Sequence, residues 1–125
     1  MNIPLTLAST VMVLTFGIHV FAGGPEYHVA YQDTLPTAHL AAMAAVLWHA
    51  VSVNLLVIAA ALLWLARFPN RALAITLYVM QLGWAALFLF YGITMLGGPW
   101  PMPQWVIFLA TPLLTIYGSR QRAKN

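Results

Sequence analysis

Four histidines and two carboxylates, all within the first 49 residues, are the side chains of this chain best suited to ligating a metal ion or moving a proton. They are His19, Glu26, His28, Asp33, His39 and His49. Imidazole and carboxylate in one group suit Cu, Zn, Fe or Ni, whereas Mg or Ca would take oxygen ligands alone. There is no Cys, so disulfides, thiolate metal sites and thiol catalysis are excluded. His49 stands among Leu47, Trp48, Ala50 and Val51, and His19 lies in another apolar run. An imidazole in such surroundings needs a polar partner or a cofactor. His19 and His49 are therefore the expected inner ligands, either of a Cu, Zn or Fe ion or, as an axial pair, of haem b. His39, Glu26, His28 and Asp33 are expected as outer ligands or as partners of the ligands. Tyr91, Ser52, Asn54, Gln81 and Thr94 add polar groups that would support the site or join helices.

Each residue also has a plainer reading. His28 reads as an interfacial anchor with water as its partner, Asp33 as a turn residue and Glu26 as a loop brace. The six methionines are scattered, as packing and lipid-facing residues would be.

The elements that must position these groups follow from composition. Of 125 residues, 62% are hydrophobic and only 6% charged. A soluble domain has roughly a quarter of its residues charged. The reading is an all-α integral membrane protein, a single domain over residues 1–125 built as a four-transmembrane-helix bundle. A span needs about 20 apolar residues. Four runs meet or approach that length: 3–22, 37–66, 72–96 and 104–117. The first lacks the Lys/Arg n-region of a signal peptide and reads as a retained helix. Gly23-Gly24-Pro25 is expected to end it. The segment from there to Pro36 is expected as an ordered loop over the bundle mouth, burying Tyr27, Val29, Tyr31 and Leu35. Arg67-Phe68-Pro69-Asn70-Arg71 reads as a tight turn that makes the second and third helices antiparallel neighbours. The last run is the shortest and needs part of the Pro-rich loop at 97–103 to complete its span.

Charge gives the orientation. The basic residues are Arg67, Arg71, Arg120, Arg122 and Lys124, and four spans place them all on one side. By the positive-inside rule that side, with both termini, is cytoplasmic. Glu26 and Asp33 then face the periplasm, across a cell inner membrane. Tyr27, Tyr31, Trp100 and Trp105 fall at the outer boundary as an aromatic belt. The net charge of +3 reflects this pattern and does not point to nucleic acid.

Depth decides which groups meet. His19 lies about 5 Å inside the outer boundary, and a count from Ala66 puts His49 level with it. Tyr91 arrives at a similar height, while His39 projects outward. His39 and His49 are about 80° apart around a helix. A weak repeat relates Phe16-Gly17-Ile18-His19…Gly23-Gly24-Pro25 to Tyr91-Gly92-Ile93-Thr94…Gly97-Gly98-Pro99. It fits two related helix hairpins; chance similarity of two Gly-Gly-Pro helix ends is the other reading. If it is real, Thr94 stands where His19 stands.

Three functions fit. The first is a metal or haem site in the outer half, serving electron transfer, metal handling or oxidation of a lipid-soluble substrate. The second is a non-catalytic accessory subunit of a larger membrane complex. The third is a proton-coupled carrier or lipid-binding protein acting as a homo-oligomer. The four-span layout alone selects none of them.

Overall fold

The computed structural model describes residues 2–122, with the side chains of Gln121 and Arg122 left aside. Lys124 lies outside the described residues. Four helices account for almost all of them, and among the described residues there is no strand. Helix α1 is continuous over Ile3–Gln32, α2 spans Ala38–Leu65, α3 Arg71–Leu96 and α4 Trp105–Arg122. The first three are long and apolar enough to cross a membrane. Helix α4 is shorter, contains Pro112 and carries Arg120 and Arg122 in its last turn.

Local sequence explains the helix starts. The Asn2 side chain accepts from the Leu5 amide at 3.2 Å, Thr37 from Leu40 at 3.2 Å and Asn70 from Leu73 at 2.9 Å. Each satisfies one of the amides left free at a helix N-terminus. Helix α3 ends at Gly97, whose φ of 76° is the left-handed geometry that glycine adopts without strain.

The expected end of α1 is corrected. Gly23-Gly24-Pro25 does not stop the helix, which continues as a π-helix over His19–Val29 and closes with an α turn at Ala30–Gln32. In an α-helix the Pro25 ring would meet the carbonyl four residues back, and its missing N–H would break the ladder. The wider i→i+5 turn moves that carbonyl away. The expected loop over the mouth is thus helical through Gln32, and only residues 33–37 connect α1 to α2.

Helix α1 packs along α2 and against α4, and α3 packs along α4. The turn between α2 and α3 makes them sequence neighbours, yet they touch sparingly. One side-chain link joins them: Trp84 Nε1 donates to Asn54 Oδ1 at 3.1 Å. Ser9 Oγ donates to the Ala59 carbonyl at 2.8 Å across α1 and α2. The Thr111 hydroxyl donates to Gln81 Oε1 across α3 and α4. Trp84 and Phe88 stack on Phe108 beside that link.

The core sits at the end of the bundle where the described chain ends meet. Leu5, Ala8, Met12, Ile58, Leu62 and Leu77 are buried there. Towards the other end, α2 buries nothing between residues 38 and 51, and α3 buries only Gly92 beyond Ala85. Asn2 holds the core end together. Its amide donates to the Ala66 carbonyl at 3.1 Å and its Nδ2 to the Gly118 carbonyl at 2.7 Å, tying α1, α2 and α4. Asn2→Ala removes the cap and the tie to Gly118. It is expected to cost about 1–2 kcal/mol, read as a lower unfolding midpoint in detergent. A midpoint equal to wild type would show that the tie is incidental.

Candidate functional site

The π-helix sets the site. Hydrogen bonds from i to i+5 give about 4.4 residues per turn, so residues nine apart lie on one stripe after two turns. An α-helix would place the same two residues about 180° apart. His19 and His28 are nine apart, and both rings meet the Trp48 indole of α2. The His19 centroid is 4.0 Å from it with the planes at 20°, and the His28 centroid 5.4 Å away at 13°. The two imidazoles share no ring contact of their own, so the indole fills the slot between them. Gly23 makes room for it, because a Cβ there would come within 3.2 Å of the indole Cη2.

His49 closes the group from the next position on α2. Its ring meets His28 edge-to-face, with centroids 5.4 Å apart and planes at 70°. Tyr31 packs its edge against the same imidazole at 5.9 Å. His28 Nδ1 is buried and has no hydrogen-bond partner. His19 Nε2 lies 3.3 Å from the Trp48 carbonyl, to which it donates as the Nε2–H tautomer. Ser52 Oγ donates to that carbonyl too, at 3.4 Å. Tyr31 and Gln32 tie the end of α1 to α2, donating to the carbonyls of Ala44 and Ala41 at 3.5 and 3.2 Å.

The expected ligands therefore separate. His19, His28 and His49 gather around Trp48, and His28 belongs to the inner group instead of to a hydrated loop. His19 and His49 do not meet ring to ring, because Trp48 takes the place beside His19. His39 is exposed in the first turn of α2, about 15 Å along the helix from His49. Glu26 is exposed, next to the exposed Tyr27. Asp33 is exposed at the end of α1. Among the described residues, no three His, Asp or Glu side chains converge closely enough to hold a metal ion.

The supporting polar residues divide as well. Ser52 reaches the Trp48 carbonyl, whereas Asn54 and Gln81 join helices. Tyr91 is exposed with its ring against Phe90, and the Thr94 hydroxyl donates to the Phe90 carbonyl at 2.7 Å. Neither reaches an imidazole.

Sequence reasoning missed Trp48 as the centre of the group. The available signal was the stretch from Glu26 to Gln32, which contains no Gly, Pro or Asn and is fit to continue a helix past Pro25.

Metal coordination is the chemistry this arrangement is best shaped for. Metal–nitrogen bonds of about 2.0–2.1 Å put two imidazoles on one tetrahedral ion with centroids about 5 Å apart, close to the spacing of His28 and His49. His49 also faces outward onto a shallow groove beside Ala45, Ala50 and Asn54, so the pair is reachable from outside the bundle. The chain matches no family model, and neither the curated proteins nor the solved structures provide a match.

The glycine notch gives a direct test. Gly23→Val places bulk against the indole and is expected to cost about 1–3 kcal/mol, with a shift in tryptophan fluorescence. Gly24→Ala meets nothing within 4 Å. It is expected to leave stability unchanged or raise it by about 0.5–1 kcal/mol. Equal effects of the two variants would remove Trp48 from the notch.

Proposed function

We propose that this chain is a multi-pass inner-membrane protein with both termini cytoplasmic, and that it handles a transition metal ion through His28 and His49 in its outer half. The observation that carries the metal reading is the buried, unpartnered Nδ1 of His28 in ring contact with a second imidazole. A buried polar atom without a partner costs about 1–3 kcal/mol, and an ion relieves that cost. Imidazole ligands suit Cu and Zn. Two protein ligands are fewer than the three or four of resident zinc sites. The remaining positions go to water or to a passing ligand, and that favours metal handling over electron transfer. Haem b between His19 and His49 is the weaker form of the reading, because the indole occupies the space beside His19.

The orientation rests on charge. Arg71 and Arg120 border one cavity at the core end, while Glu26 and Asp33 lie near the far end of α1. A reporter fused after Asn125 is expected to read cytoplasmic, and one inserted at Thr34 periplasmic. The reverse pattern would invert the protein.

The accessory-subunit reading has its own support. The outer half of α2 buries no residue against the rest of the chain, and large apolar side chains such as Val46 and Leu47 stay exposed there. A larger partner in the membrane would cover that surface.

Metal titration separates the two. Full-length protein in detergent, dialysed against Zn²⁺ or Cu²⁺, is expected to retain one ion per chain. His28→Phe and His49→Phe keep a ring in place and are expected to weaken retention at least about tenfold. His39→Phe is expected to match wild type. Wild type that retains no ion, but purifies with a stoichiometric larger partner, would leave the accessory reading standing.

A further inference from the structure

A further cavity lies far from the imidazoles, at the basic end of the bundle. It measures about 690 Å³ and opens between the start of α3 and the end of α4, with Leu5 of α1 at its base. Two guanidiniums from different helices border it, Arg71 of α3 and Arg120 of α4. Both arginines are exposed. The chain has only two Asp or Glu residues, and both lie towards the opposite end, at Glu26 and Asp33. No carboxylate side chain of this protein therefore serves the two cations. The cavity wall is otherwise mixed: Tyr78 and Ser119 bring hydroxyls, and Ile75 and Ile116 bring apolar surface.

We propose that this cavity is a binding site for an anionic phospholipid of the cytoplasmic leaflet. The headgroup phosphate sits between Arg71 and Arg120, and the upper part of an acyl chain lies on Ile75 and Ile116. The proposal rests on the membrane reading above, in which this end of the bundle meets the cytoplasmic leaflet. Charge complementarity selects the occupant. Guanidinium groups pair with phosphate oxygens through two parallel hydrogen bonds. The cytoplasmic leaflet supplies anionic headgroups at this height, and basic pockets between membrane helices are where such headgroups bind. A zwitterionic lipid would bring its own cation to two arginines. A free anion would leave the isoleucine wall in water.

The test uses the full chain, delipidated in detergent and returned to mixed micelles of phosphatidylglycerol and phosphatidylcholine. Bound lipid is read by native mass spectrometry. Phosphatidylglycerol is expected to be retained at least about tenfold over phosphatidylcholine. Arg71→Gln and Arg120→Gln are each expected to lower that preference about fivefold. Arg67→Gln removes a charge from the same end without touching the cavity, and is expected to change the preference less than about twofold. Equal retention of the two lipids would overturn the proposal, and so would an undiminished preference in the double variant. A parallel thermal-shift series adds inorganic phosphate in place of lipid. Stabilisation by phosphate equal to that by phosphatidylglycerol would make this a free-anion site and overturn the lipid assignment. Alkaline extraction of membranes is run alongside. A chain that washes off fails the membrane reading itself, whereas one that stays in the bilayer without lipid preference fails only this site.

Discussion

Pro25 is the constraint on which the half of this protein remote from the buried core depends. It offers no N–H, and its ring cannot share an α turn with the carbonyl four residues before it. A helix with this residue inside it must kink, stop or widen. Here it widens, over eleven residues from His19 to Val29. Widening changes the period, and the period decides which side chains share a face. His19 and His28 come onto one stripe, and the glycine at position 23 lies between them at the point where Trp48 enters. The pairing of α1 with α2 then follows, because the indole, Tyr31 and Gln32 all reach across the same seam.

The two ends of the bundle do different work. At the core end, polar groups are spent on holding helices together: Asn2 on Gly118, Ser9 on Ala59, and Thr111 on Gln81. Such ties are modest in an apolar solvent, about 0.6 to 2 kcal/mol each, but they coincide with the buried core and fix its register. At the far end the polar links join α1 to α2 alone, from His19, Tyr31 and Gln32 to the carbonyls of Trp48, Ala44 and Ala41. Helices α2 and α3 stay apart there, since the Asn54–Trp84 bond is their one side-chain link. The openness of the half remote from the core is thus a consequence of where the hydrogen bonds were placed.

The helix count, the turn at 66–70 and the clustering of charge at two ends were legible in composition, because they need only run length and sign. The fate of the two Gly-Gly-Pro segments was not. Gly97-Gly98-Pro99 ends a helix: the amides of Gly97 and Gly98 both donate to the Gly92 carbonyl, and the chain folds back so tightly that a Cβ on Gly92 would meet the Gly98 carbonyl oxygen at 2.9 Å. Gly17, the counterpart of Gly92 in the first segment, has nothing within 4 Å of that position, and its helix runs on. Equal tripeptides diverge because their continuations differ. Trp100-Pro101-Met102-Pro103 cannot be helical throughout, whereas Glu26 to Gln32 can. Apolar run length likewise set His19 at the height of Trp48 and His49. It could not say which rings touch, since that requires the π period, and local composition does not announce a π-helix.

The indole also bears on the chemistry proposed for the imidazoles. Three histidines within a short distance would ordinarily suggest three ligands and a tightly held ion. Trp48 prevents that by standing between His19 and His28, and the Trp48 carbonyl engages the Nε2 of His19. His19 then acts on the site through the wedge, fixing the indole against which His28 is stacked. The proposed site is left with two imidazoles, one with a sheltered nitrogen and one facing the exterior groove. Under that proposal an ion would enter from the outside, complete its coordination with an arriving ligand, and leave without unfolding the chain. In the proposed metal reading, the aromatic wedge would keep affinity low while keeping the imidazoles ordered.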